Sequence, residues 1–324
     1  RKAICWLDES RIQEVKIMQK CNENAANRYS YVGEVYSFGE RAKKKEILLS
    51  LPKEWRDLHE KGFIHIHDLD AYGLTYNCLT FDILHDFQYE RFVGTSQTRK
   101  IIATFEYLKN LFCDIGNEQS GGMALANFDN DVATILQKLG VELNETNAEI
   151  IADSIHQLIY WCNHTYTRMG QTSYYVSLNI GLANSEFARF LAKTLIDEFE
   201  SSGDLVFKPN IIFKVKAGVN RFESDPNYDL FKASLLCSAK KMIPTYVLCD
   251  SEPNKNVDAE KLAIMGCRTR VVADLFGENS SVGRGNIDNI SINLPRLALI
   301  TEKELPKATF EEKMRVFSAK WDEV

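Results

Sequence analysis

The sequence predicts an α/β chain, a sheet or barrel of parallel strands joined by crossover helices. Two observations carry this. Strand-like runs such as "SYYVSLNIGLA" and "PNIIFKVKAGVN" alternate with segments of helical periodicity, and that order implies parallel pairing. The chain has 324 residues, 45% of them hydrophobic, enough to bury a large core. No repeat, low-complexity tract or Pro/Gly-rich linker divides it, so it reads as one unit after an N-terminal helical region.

In chain order, "FGERAKKKEILLSLPKEWRDLHEKGF" has a helical pattern, with Lys43 to Lys45 on a solvated face. "GFIHIHDLDAYG" alternates at period two and reads as a strand entering a turn, and "LTYNCLTFDIL" is a second β-rich run carrying Cys78. "TNAEIIADSIHQLIYWCNHTYTRM" offers a capping box, Thr146 with Glu149, ahead of apolar Ile151, Ile155, Leu158 and Cys162. "SDPNYDLFKASLLCSAKKMI" offers Asp225 as N-cap and Pro226 as first helical residue. Tyr228, Phe231, Leu235, Ala239 and Met242 share one of its faces, and Lys240 and Lys241 lie near its C-terminus.

The net charge of −6, well mixed, excludes the extended basic surface that a nucleic-acid binder needs but leaves room for small anionic ligands. Eight cysteines without a C-x-x-C pair read as reduced thiols rather than a zinc ribbon or thioredoxin-like motif. No apolar run is long enough to cross a bilayer and no signal-peptide pattern opens the chain, so the expectation is a cytoplasmic protein. The first residue is Arg1 rather than Met, which leaves room for a longer protein.

Four constellations invite chemistry. His65 and His67 in "HIHDLD" share a strand face that two metal ligands could use, but no third ligand is evident. Local hydrogen bonding with Asp68 and Asp70 is the reading, and no metal is expected. Gly121-Gly122, ahead of Asn127 and Asp129, could admit a nucleotide close to the backbone or could form an ordinary turn. Gly283, Arg284, Gly285 and Asn286 could contact phosphate or sugar, or could make a glycine hairpin. Cys267 lies between Gly266 and Arg268 in "AIMGCRTRVVADLFG". Arginine neighbours could lower its pKa, no histidine follows His164 to serve as a nearby base, and a buried structural cysteine is the alternative.

Taken in order, eight pieces resemble the anaerobic (class III) ribonucleotide reductases, a glycyl radical enzyme family. They are "GFIHIHDLD", "NCL", "GG" followed by "ANFD", "TRMGQTSYYVSLNIG", "NIIFKVKAGVN", "DPNYDLFKAS", "MGCRTR", and "GRGN" followed by "INLPR". The resemblance implies the ten-stranded α/β barrel of that family, built from two five-stranded parallel halves. Residues 1–45 would form an N-terminal helical region, and 46–324 the first half of the barrel with its finger loop. It also implies reduction of ribonucleoside triphosphates to 2′-deoxyribonucleoside triphosphates for DNA synthesis. Cys267 then matches the thiyl-radical cysteine that abstracts the ribose 3′-hydrogen. Cys78 matches the second cysteine, which takes part in reduction at the 2′-carbon, and Asn286 the residue that binds the ribose hydroxyls where aerobic relatives use a carboxylate.

Thr269 and Arg268 are the implied substrate contacts, and Gln119, Gly121 and Gly122 align with the region near the effector site. Implied partners are the triphosphate substrates, nucleotide effectors, a radical SAM activating enzyme and a second copy of the chain, with neither membrane nor nucleic acid. The implied radical glycine and a structural four-cysteine zinc site belong to a segment not present here, since the chain ends at "FSAKWDEV". Formate is the expected reductant. The alternatives are another glycyl radical enzyme, disfavoured where paired adjacent cysteines are needed, or an inactive nucleotide-binding relative. Cys5, Cys21, Cys113, Cys162, Cys237 and Cys249 are expected to pack.

Overall fold

The computed structural model describes residues 31–165, 173–204, 206–266, 269–272, 277 and 279–324. Two helices come first, α1 (Tyr31–Ser50) and α2 (Lys53–Glu60), where the sequence pattern runs without a break. Pro52 separates them: it has no N–H to give and restricts the residue before it, and it sits at the N-cap of α2 with φ −49° and ψ 140°. The chain continues through β1 (Ile64–Ile66), β2 (Cys78–Phe81), the single turn α3 (Ile83–Asp86), α4 (Gln97–Asn117), β3 (Met123–Leu125) and α5 (Phe128–Lys138). Then follow α6 (Glu145–His164), β4 (Val176–Ile180), α7 (Glu186–Ser201), β5 (Asn210–Val215), α8 (Tyr228–Lys241) and β6 (Thr245–Leu248). After a long connection come β7 (Gly285–Asn286), β8 (Ile290–Ile292), α9 (Leu294–Glu304) and α10 (Phe310–Glu323).

The main sheet has the order β6-β5-β4-β3-β2-β7. Strands β2 to β6 are parallel, each beside its neighbour in sequence, with Leu79 opposite Met123, Met123 opposite Val176 and Leu178 opposite Ile211. Strand order that never reverses sends every right-handed crossover to the same face. The sheet is therefore wound in one direction and curls as a half-barrel with helices outside. β7 joins the β2 edge antiparallel, with Asn286 opposite Cys78, and β1 and β8 form a separate antiparallel ribbon.

The main core lies between helices and sheet. Met123, Leu125, Val176, Leu178, Ile180, Ile211, Phe213 and Val215 face outward and meet Phe105, Phe112, Ile155, Leu158, Leu191 and Leu195. On α6 the expected Ile151, Ile155, Leu158 and Cys162 are all buried. Its cap differs from expectation: Asn144 accepts the Asn147 N–H at 2.9 Å, so the helix starts ahead of Thr146.

Helix α8 departs further. Asn227 is its N-cap, and Asp225 instead accepts from the Gly218 and Phe222 N–H groups, closing the preceding loop. The buried stripe is Leu230, Ser234 and Cys237, while Leu235 and Met242 are exposed. Lys240 and Lys241 do lie in its last turn, and Lys241 reaches across to donate to the Gly203 carbonyl, just past the end of α7, at 2.8 Å. Strand β3 lies just after the paired glycines, in a stretch that reads as a turn.

Leu158 has no exposed surface in this core. Leu158→Ala is expected to cost about 2–5 kcal/mol through lost burial and the cavity left behind, measured by denaturant unfolding.

Candidate active site

Alternation along the strands turns Cys78, Thr80, Ala124, Ser177, Asn179, Asn210, Ile212 and Lys214 away from the helices, onto the inner face. Strands of a parallel sheet covered on both faces are ordinarily apolar on both. Here the inner face is largely polar, and the connection after β6 explains it. Lys214 Nζ donates to the Ala259 carbonyl and to Asn127 Oδ1, each at 2.9 Å, and Asn127 Nδ2 donates to the Glu260 carbonyl at 2.7 Å. Asn179 Oδ1 accepts the Ile264 N–H at 3.0 Å while its Nδ2 donates to the Ile264 carbonyl at 3.2 Å. Ser177 Oγ and Asn210 Nδ2 both donate to the Gly266 carbonyl, at 2.9 and 2.6 Å.

That path brings Gly266 to Cys78. The Cys78 thiol is buried; it accepts the Gly122 N–H at 3.3 Å and lies 3.5 Å from Asn77 Oδ1 and 3.9 Å from Thr269 Oγ1. Gly266 has φ +56°, a conformation that side chains resist, and a Cβ there would lie 3.5 Å from Cys78 Sγ and 3.3 Å from the Tyr175 ring. A Cβ on Gly122 would lie 2.7 Å from Gly266 Cα, so the two backbones touch. A Cβ on Gly121 would collide with the Asn77 carbonyl. Met265 and Thr269 exchange backbone hydrogen bonds at 2.9 and 3.0 Å. Cys267 and Arg268, which the sequence singles out between them, lie outside the described residues.

Asn286 pairs with Cys78 across the antiparallel edge. Its Oδ1 accepts the Cys78 N–H at 3.1 Å, and its Nδ2 donates to Asn77 Oδ1 at 3.2 Å and the Asp288 carbonyl at 3.4 Å. Asn77 Oδ1 also accepts from Asn289 at 3.1 Å, and Asn77 Nδ2 donates to Asp68 at 2.6 Å. Asp68 adopts φ +40°, uncommon outside glycine, and burial followed by the neighbouring Asp70 pushes its pKa up. His67 Nε2 lies 2.8 Å from Ser291 Oγ, and the His65 and His67 rings meet edge-on at 4.6 Å. Burial, then His67 and His59, holds the His65 pKa down. Among the described residues no group of three or more His, Cys, Asp or Glu could hold a metal ion.

Gln119 stands apart from the thiol. It pairs with Tyr76 and, with Tyr76, Leu79, Asp114, Ile115 and Glu118, lines a cavity of about 320 Å³. The structure thus brings Cys78, Asn286, Thr269, Gly121 and Gly122 together and leaves Gln119 on the rim. Asn77, Ser177, Asn179, Asn210 and Lys214 escape sequence reading as site residues. For the last four the signal was available in "VSLNI" and "NIIFKV", where polar residues recur at every second or fourth strand position.

At the strand ends the anchoring lysine meets two acids. Burial pulls the Lys214 pKa down to about 8, and pushes Asp129 up to about 6 despite the N–H groups of Gly181 and Asn130 that it accepts. Burial, then Asp129, raises Asp131 to about 7.

The half-barrel thus carries a connection back along its inner face onto the buried thiol of Cys78. The sequence model of the family described as anaerobic ribonucleoside-triphosphate reductase matches residues 23–322, and the chain belongs to that family. It is 28% identical over 281 residues to the anaerobic ribonucleoside-triphosphate reductase of Haemophilus influenzae, covering 78% of this chain and 39% of that protein. To the Enterobacteria phage T4 protein of the same description it is 25% identical over 272 residues, covering 74% and 44%. The chain therefore spans about two fifths of the length of these relatives. In fold it is similar to the anaerobic ribonucleotide reductase of Thermotoga maritima. The structure of that protein with MES in the active site gives a TM-score of 0.60 at 12% identity, covering 90% of this chain and 52% of the other.

Gly122→Ala is expected to force the two backbones apart, destabilising the chain by about 1–3 kcal/mol and speeding alkylation of Cys78, both measurable on the purified protein. Asp129 gives a pH signature. Its folded pKa, about 6, lies above the unfolded value, so its contribution is complete below about pH 4 and is lost as pH rises through 6. Asp129→Asn should make the fall in unfolding free energy between pH 4 and 7 shallower, by about 2–3 kcal/mol in total, as read by denaturant titration.

Proposed function

We propose that this protein reduces ribonucleoside triphosphates to 2′-deoxyribonucleoside triphosphates by radical chemistry, with Cys267 and Cys78 as the two working thiols and Asn286 as the group that orients the ribose hydroxyls. The observation that carries the reading is the meeting of Cys78 with Asn286 and with Gly266 and Thr269, the residues that bracket Cys267 in the described chain.

The family's glycyl radical supplies the initial one-electron oxidation of a thiol. The chain's own residues fit such chemistry. Among the described residues, the groups hydrogen-bonded to or touching the Cys78 sulfur are amides, a hydroxyl and glycine backbone, with which a thiol S–H is compatible. A Cys267 thiyl takes the hydrogen atom from C3′, forming S–H and leaving the radical on carbon. The 3′-hydroxyl gives up its proton and the 2′-hydroxyl takes one and leaves as water, which moves the radical to C2′ and leaves a 3′-ketone. Cys78 S–H gives C2′ a hydrogen atom and becomes a thiyl. Formate returns a hydrogen atom to Cys78 and one electron, taken up with a proton, to the 3′-ketone, and leaves as carbon dioxide. The Cys267 S–H gives its hydrogen atom back to C3′, restoring the thiyl. Asn286 can donate and accept toward hydroxyls but cannot act as a carboxylate base at neutral pH, which suits formate as the external carboxylate and final reductant.

Lys261, Arg284, Ser280 and Gly283 line an open cleft of about 590 Å³, whose cationic rim suits a triphosphate, and Thr269 and Arg268 are proposed as further substrate contacts. Nucleotide effectors are assigned to the region of Gln119, Gly121 and Gly122, in keeping with the Thermotoga maritima protein, whose structure is described with dATP in its specificity site. A radical SAM activating enzyme and a second copy of the chain complete the partners. No described helix is long and apolar enough to cross a membrane, and a cytoplasmic setting is proposed.

In the full-length protein, activated and assayed without oxygen, Cys267→Ser and Cys78→Ala should each abolish deoxyribonucleotide formation while leaving nucleotide affinity within about threefold. Asn286→Ala should lower the rate far more than affinity, since one or two lost hydrogen bonds cost about 1–3 kcal/mol in binding. Normal turnover by the Cys267 variant would end this reading.

A further inference from the structure

The inner face of β4 and β5 presents Ser177, Asn179 and Asn210, of which the first two have no exposed surface and the third has 6%. A buried hydroxyl or amide costs free energy unless it is hydrogen-bonded, so three of them on the centre of a parallel sheet call for partners. The partners are main-chain atoms of one short stretch. Asn179 meets both the N–H and the carbonyl of Ile264, as a neighbouring strand would, and its Nδ2 also reaches the Leu125 carbonyl at 2.9 Å. Ser177 and Asn210 converge on the single carbonyl of Gly266.

Apolar packing alone would leave this stretch free to slide: Met265 sits with Cys78, Ala124 and Val271, contacts that have no direction. The hydrogen bonds do have direction. Two donors from adjacent strands fix the Gly266 carbonyl, and the peptide plane that carries this carbonyl includes the nitrogen of residue 267. Its orientation therefore sets where the next residue leaves the sheet. On the opposite side Gly122 and Tyr175 close against Gly266, so the residue is held from both directions.

We propose that Ser177 and Asn210, supported by Asn179, are positioning residues that present Cys267 to Cys78 by clamping the Gly266 carbonyl, an inference that rests on the two-thiol reading above. These side chains touch neither substrate nor sulfur. They act through the backbone, so the loop can vary in side chain but not in path.

Disulfide trapping in the intact protein tests this. Diamide accepts the two electrons and two protons released when two thiols join, and peptide mapping identifies the pair. The wild-type chain should form the Cys78–Cys267 bond as its fastest disulfide. Ser177→Ala and Asn210→Ala should each slow that bond roughly tenfold, equivalent to about 1.4 kcal/mol, within reach of one buried hydrogen bond. Each variant loses one buried hydrogen bond and should melt only a few degrees lower, while the slow labelling of the core thiols Cys162 and Cys237 stays at the wild-type rate. A merely structural role would lower melting well beyond that and expose both core thiols together, and either that pattern or wild-type trapping rates in both folded variants overturns the proposal. Ser177→Ala removes one oxygen, so it decides alone if Asn210→Ala does not fold. Absence of the pair in the wild type would overturn instead the two-thiol reading beneath it.

Discussion

Contact between two backbones, Gly122 at the start of β3 and Gly266 on the returning connection, is the constraint around which the rest is arranged. A side chain on Gly122 would separate them, since its Cβ would fall 2.7 Å from the Gly266 Cα, while Gly266 has φ +56°, which side chains resist, and a Cβ there would press on Tyr175 and Cys78. Beside that contact lies Cys78, buried at 6% exposure, its sulfur accepting the Gly122 N–H. The contact also requires the connection to cross the concave face of a curled sheet, which a sheet wound in one direction with helices on the other face makes available.

The polar inner face follows from the same requirement. A loop laid over a sheet brings its own N–H and C=O groups into a buried place, and each needs a partner. The carboxamides of Asn127, Asn179 and Asn210, the Ser177 hydroxyl and the Lys214 ammonium provide them. Among the described residues, the groups that meet the Cys78 sulfur are the Asn77 amide, the Thr269 hydroxyl and the Gly122 N–H, and Asn286 binds the Cys78 N–H. Charge is kept at the strand ends, where Lys214, Asp129 and Asp131 have pKa values moved toward neutrality by burial.

Local pattern made some of this legible. Strands β4 and β5 stand out because period-two alternation survives in "VSLNI" and "NIIFKV", and α6 because its apolar spacing is regular. Strand β3 does not stand out, because three residues next to two glycines leave no period to detect. The buried face of α8 cannot be read from composition: apolar residues lie on both candidate stripes, and the neighbouring sheet selects Leu230 over Leu235. At the N-terminus of α6, Asn144 and Thr146 are both competent caps, and hydrogen bonding selects the first. Cys78 and Asn286 are 208 residues apart, and their register is a property of the folded sheet. Colinear resemblance to the reductase family brought them together where local patterning could not.

The central proposal is that the Cys267 sulfur, working with Cys78, removes the 3′-hydrogen of a ribonucleotide. Turnover of 3′-deuterated and unlabelled ribonucleoside triphosphate, in competition, by the full-length activated protein without oxygen measures this most directly. The account predicts deoxyribonucleotide product with a primary isotope effect on kcat/KM, about twofold or larger, where hydrogen abstraction limits commitment. Deoxyribonucleotide formed at wild-type efficiency by a protein lacking both Cys78 and Cys267 sulfurs, with the same isotope effect, would contradict it.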